Sequence, residues 1–203
     1  MNKLTTIGLA VYLALMMAGC GATLKTNQAS QALGVPAAEL DRLCKKIECF
    51  YDELKGNLEA AASDVNSFVA LAGNESRVIS FSYVSGNPGI SVDVYHVYLY
   101  GDWNFDEYAE IYIGKEMVAK IDGQVKRIVG SYNNIANEAE KIERIHGVID
   151  FDTAEKIAKA SPKTVTIRFY GQDGYNDVKP GSHNLADLVA LARTLSRTKN
   201  NAS

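Results

Sequence analysis

The chain has 203 residues, and its 21 Lys and Arg stand against 24 Asp and Glu for a formal net charge of −3. So mild a balance argues against a nucleic-acid partner, which calls for a basic face, and gives no pull toward anionic lipid surfaces. The apolar and charged fractions, 47% and 22%, are those of a globular chain long enough to bury a real core.

Taken in order, the chain opens Met1-Asn2-Lys3, runs almost wholly apolar from Leu4 to Met17, and closes that run with Ala18-Gly19-Cys20. A charged start, a short apolar core and small residues before a break is the layout of a secretory signal. The run is shorter than the roughly 20 apolar residues that a permanent membrane-spanning helix needs. Met17-Ala18-Gly19-Cys20 resembles the lipobox of bacterial lipoprotein precursors, with Met where that family usually has Leu. The resemblance covers the export segment alone and implies cleavage before Cys20 and lipid on that cysteine. Gly21, standing where an Asp would favour the inner membrane, implies the outer membrane facing the periplasm. The competing reading is a plain signal or a single N-terminal anchor with Cys20 incidental. Each buried CH₂ of an acyl chain adds about 0.8 kcal/mol, so a several-chain anchor holds stably. The resulting division is a signal peptide over 1–19, a lipidated flexible tether over 20–34, one domain over 35–197 and a loose tail over 198–203.

With Cys20 lipidated, Cys44 and Cys49 remain, and an oxidising compartment favours a disulfide between them. Residues five apart on a regular helix have Cα atoms about 8.6 Å apart, beyond the roughly 7 Å that a bridge tolerates. A Cys44–Cys49 bond therefore requires the helix that begins near Pro36 to end at about Lys45. Leu58, Ala61, Ala62, Val65, Phe68 and Val69 form a stripe that predicts a second helix over about 57–71.

From Arg77 the pattern changes to alternation. Ile79, Phe81 and Tyr83 mark a first strand. Val92 to Leu99 marks a second, with a bulge near Tyr95-His96 or with both faces partly covered. Tyr108–Ile113 and Met117–Ile121 make a hairpin, and Asp122-Gly123 predicts another hairpin turn into Val125–Tyr132. Residues 133–140 read as polar linker or frayed helix. Residues 141–150 admit helix or strand, and Gly147 with the β-branched Val148-Ile149 favours strand. Asp152 with Glu155 resembles a capping box for a short helix that Ser161-Pro162 ends. Thr164–Tyr170 alternates as a strand, 171–182 reads as a long loop, and Asn184 caps a last helix. The fold class expected is α+β, an antiparallel meander sheet of about five to seven strands with helices packed on one face.

No catalytic constellation emerges. His96, His146 and His183 are dispersed in sequence without metalloprotease spacing, and no nucleophile elbow or phosphate-cradling glycine loop is present. Asp173-Gly174-Tyr175-Asn176-Asp177 places oxygen donors at alternate positions, but the later Glu of a calcium loop is absent. No catalytic residue, metal ligand or cofactor is assigned. The feature with interaction chemistry is the tyrosine content of the strands, since tyrosine offers apolar area with a polar tip. Tyr95, Tyr98, Tyr100 and Trp103 are the candidate binding face, with Arg168 available to an anionic group. Three functions follow as expectations. The first is a lipid-anchored, non-enzymatic envelope module that binds another protein. The second is a lipoprotein that takes a small ligand on an aromatic sheet face. The third is an envelope hydrolase whose nucleophile is assembled from distant residues.

Overall fold

The computed structural model describes residues 26–62, 75–98, 103, 105–133, 138–172, 174–179 and 184–201. The export segment, Cys20, Tyr100 and His183 lie outside the described residues. The chain enters through α1 (Thr26–Leu33) and α2 (Ala37–Leu43), with Leu40 and Leu43 buried. Residues 26–33, expected within the flexible tether, form helix α1 instead, which buries Ala29 in the core. Pro36 stands immediately before α2, where its fixed φ suits a helix start. Cys44 ends that helix and Cys49 lies on strand β1 (Glu48–Asp52), so the two sulfurs are bonded with their Cα atoms 5.8 Å apart. The helix breaks between them as the bond demands.

Strand β2 (Asn57–Ala61) replaces the first part of the second expected helix. Leu58, Ala60 and Ala62 alternate inward, and β2 pairs with β1 through Asp52↔Asn57 and with β3 through Ala60↔Tyr83. Alanine and leucine fit either period, and the neighbouring strand decides in favour of the sheet. The rest of that stripe, residues 63–71, lies outside the described residues. β3 (Glu75–Val84) and β4 (Ile90–Tyr98) follow in unbroken antiparallel register. β4 therefore carries no bulge, and its mixed parity has the other cause foreseen, burial on both faces, with Val92, Val94, Val97 and Tyr98 all buried.

β5 (Tyr108–Ile113) and β6 (Glu116–Ile121) form the expected hairpin. Asp122-Gly123 then does something other than close a hairpin. It carries the chain out of one sheet, and β7 (Val125–Asn133) joins a different one beside β8 (Glu138–Ile149). Gly123 lies so close to the backbone of β8 that an added Cβ would sit 2.1 Å from the carbonyl oxygen of His146. Residues 138–149 are thus strand throughout, which corrects the polar-linker reading of 138–140.

The cap of helix α3 (Phe151–Lys159) lies two residues before the expected one. Asp150, in extended conformation, accepts from the Thr153 amide. β9 (Val165–Gly171) is followed by β10 (Gly174–Val178), a strand where a loop was expected. Helix α4 (Leu185–Asn201) continues through the expected tail as far as Asn201. Asn184, just ahead of it, donates through Nδ2 to the Lys46 carbonyl.

The fold is α+β, and in place of one meander there are two antiparallel sheets. The larger runs β1-β2-β3-β4-β8-β7 and the smaller β10-β9-β5-β6. One core joins Val92, Val94 and Ile145 of the first to Ala109, Ile111, Ile121, Ile167 and Phe169 of the second. Strand parity leaves Tyr108, Glu110, Tyr112, Thr166, Arg168 and Tyr170 on the outer side of the small sheet.

Candidate functional site

Two charged clusters stand out, one between the sheets and one on the outside of the small sheet. The inner one is built by pairing. β4 and β8 place His96 directly across from Glu143, and β7 and β8 place Arg127 across from Glu143 on its other side. The segment leading into β5 brings Asp106 to meet them, with Phe105 before it in the left-handed region at φ 52°. His96 Nδ1 lies 2.8 Å from Asp106 Oδ2, the Asp106 amide donates to Glu143 Oε2 at 3.1 Å, and Arg127 Nε donates to Glu143 Oε1 at 2.9 Å. His96, Asp106 and Glu143 are each 2% exposed or less. Donor atoms of these three side chains lie within 4.8 Å of one another, close enough to share a cation. In the geometry present they are already engaged with one another and with Arg127, as buried polar groups must be.

His146 belongs to a third, smaller group on the other face of the large sheet, around the buried Asp93. Its Nδ1 and Arg144 Nε both meet Asp93 Oδ1, at 2.9 and 2.7 Å. Arg144 is held further toward its charged form by that carboxylate.

The outer cluster is a grid. Register aligns Tyr108, Tyr170 and Tyr175 in one row across β5, β9 and β10. The next row is Lys120, Glu110, Arg168 and Asp177 across β6, β5, β9 and β10, so charge alternates from strand to strand. Tyr112 and Thr166 start a third row, and Lys179 Nζ donates to the Thr166 hydroxyl. Arg168 forks onto Asp177 with bonds of 2.6 and 2.8 Å. That fork holds the Asp177 carboxyl below the usual carboxylate range and raises the guanidinium. Glu110 Oε2 accepts hydroxyls from Tyr112 at 2.5 Å and Tyr170 at 2.9 Å. The carboxylate so close to it pushes the Tyr112 phenol well above its ordinary value.

The rings of the grid are used against each other. Tyr108 stacks on Tyr170 with centroids 4.5 Å apart, and the Lys120 ammonium sits 4.5 Å from the Tyr108 ring. The Arg168 guanidinium covers Tyr175 at 4.0 Å. Tyr175 nonetheless stays 58% exposed, and the side chains of Lys120 and Asp177 are 45% and 42% exposed.

The tyrosine face expected from sequence is not one face. Tyr98 is buried, packing on His96 at 4.7 Å and edge-on to Trp103 at 6.3 Å. Tyr95 stands on the opposite side of β4, half-buried, beneath the Arg144 guanidinium. The cause is that β4 is a central strand with cover on both sides, so alternate tyrosines part company. Among the described candidates Arg168 alone reaches the exposed grid, and its companions there are Tyr108, Tyr112, Tyr170 and Tyr175. The alternation Tyr108-x-Glu110-x-Tyr112 beside Thr166-x-Arg168-x-Tyr170 carried that signal, legible once β5 and β9 are taken as partners. Of the segment 173–177, weighed as a calcium loop, Asp173 lies outside the described residues and the rest belongs to strand β10, whose Asp177 serves Arg168. Comparisons with family models, with curated proteins and with solved structures return no match.

Proposed function

We propose that the chain is a lipid-anchored bacterial envelope protein, held at the outer membrane through lipid on Cys20, whose domain is a non-enzymatic docking module for another protein. The lipobox resemblance supports the anchor, and the Cys44–Cys49 disulfide accords with an oxidising compartment. The observation that carries the docking reading is the outer grid of the small sheet. Tyrosine and arginine are the residues enriched where protein surfaces meet, and here they form a continuous, partly exposed face. Ring faces already engaged by Lys120, Tyr170 and Arg168 favour a flat, complementary protein surface over a ring-shaped ligand. We read the helices as lying on one face of the large sheet, since Tyr83 meets both Phe151 of α3 and Ser196 of α4.

Intact-mass measurement of the membrane-extracted protein tests the anchor. Cleavage before Cys20 with added acyl mass is expected, and unchanged membrane residence of Cys20→Ser would overturn it. Crosslinked pull-down tests the module. Capture of specific envelope proteins by the wild type, lost with Arg168→Ala/Tyr175→Ala, is expected. Equal capture by both would remove the grid as the docking face.

A further inference from the structure

We propose that the partner of the grid is a second copy of the same chain, docked face to face about a two-fold axis parallel to the strands and passing between β5 and β9. This rests on reading the outer side of the small sheet as a docking face. The charge row is self-complementary under that operation and under no other simple one. Read across the sheet it runs Lys120, Glu110, Arg168, Asp177. Turning one copy over about the axis reverses the order. Lys120 then stands opposite Asp177 of the second copy, and Glu110 opposite Arg168 of the second copy. The two remaining pairs repeat these by symmetry, as an isologous interface requires. In the adjoining row Tyr108 stands opposite Tyr170 of the second copy. An axis along the row would set Lys120 against Lys120 and Asp177 against Asp177, so the charges select the first arrangement and penalise the second.

Four strands about 4.8 Å apart, bearing three rows about 6.8 Å apart, make a face of roughly 400 Å². Two such faces bury about 800 Å² together, below the roughly 1,200 Å² of a stable standard interface. The dimer is therefore weak in free solution. Two copies confined to one membrane by their anchors meet at a higher effective concentration, and the same face then suffices.

The test is sedimentation velocity of the full chain in detergent over a concentration series, with K120E, D177K and their equimolar mixture. Each variant alone replaces two attractive pairs with two repulsive ones, and an association about tenfold weaker than wild type is expected. In the mixture every new carboxylate faces a new ammonium on the other chain, and association returns toward the wild-type value. Such recovery requires both variants to be folded. The wild-type dimer gives a second reading, since it should dissociate as salt rises from about 0.05 to 0.5 M. A wild type that stays monomeric throughout, a salt-insensitive dimer, or a mixture no stronger than its components overturns the proposal. A monomeric chain that still captures an envelope protein through Arg168 and Tyr175 overturns self-docking alone and leaves the docking reading standing.

Discussion

The inner cluster and the outer grid are made of nearly the same parts. Each has an arginine against a carboxylate, a further acid that takes hydrogen bonds, and aromatic rings against the cations. Arg127 lies 4.9 Å from the centroid of Phe105 as Arg168 lies 4.0 Å from that of Tyr175. What differs is solvent. Glu143 has a fully buried side chain, whereas the Asp177 side chain is 42% exposed. In the interior an acceptor that vanishes leaves donors with nothing to replace it, so the inner parts fasten two sheets and are not free for other use. At the surface water takes over whatever a substitution removes, and an exposed pair contributes little to stability. The same chemistry is thus committed in one place and available in the other.

The largest expected effect attacks the committed side. Glu143→Ala strips the Asp106 amide and Arg127 of their acceptor and should cost about 3 kcal/mol in urea unfolding. A loss under about 1 kcal/mol would erase the distinction between the clusters. Next comes the disulfide. Replacing Cys44 and Cys49 together by Ser reopens a six-residue loop and should cost about 2 kcal/mol by loop-closure entropy, measured the same way under non-reducing conditions.

A smaller effect is expected at Asp150, which caps α3 through the Thr153 amide and hydroxyl. Asp150→Ala should cost about 1 kcal/mol at neutral pH. These bonds, led by the Thr153 amide, hold the Asp150 carboxyl below its ordinary value. The folded value therefore lies under the unfolded one. The cap contributes in full above an unfolded value of about 3.9 and fades as pH falls through the folded value. Thermal melts of wild type and variant should draw together as pH falls below the unfolded value, and a gap that stays constant into strong acid would contradict the assignment. The smallest stability effect belongs to the grid. Arg168→Ala should change unfolding free energy by less than about 1 kcal/mol. A loss as large as that of Glu143→Ala would mean the outer parts are fastenings too.

Much of the sheet was legible in the chain, because half-buried strands advertise themselves by alternation. Ile79-x-Phe81-x-Tyr83 and Val165-x-Ile167-x-Phe169 are such cases. β10 was not, since Gly174-Tyr-Asn-Asp buries none of its residues and only Val178 faces the core. β2 was lost for the opposite reason, as Leu58 and its neighbouring alanines satisfy two periods at once. Asp122-Gly123 was read as a hairpin because local chemistry names a tight turn without naming the sheet that the next strand will join. The surroundings of Arg168 were hidden at the same level. Arg168 was visible, but its setting depends on β5 lying beside β9, with Glu110 paired across to Arg168, and no local pattern states that. His96, Asp106 and Glu143 are likewise strangers in sequence that meet only through strand order.

The passage at Gly123 has a consequence of its own. Here the polypeptide changes storeys in a gap with no room for even one methyl, since the carbonyl of His146 fills the place a side chain would take. The joint works because of what is missing from it. A library randomised at positions 122 and 123 should return many residues at the first and glycine alone at the second, and the few survivors elsewhere would be those whose two storeys have slid apart.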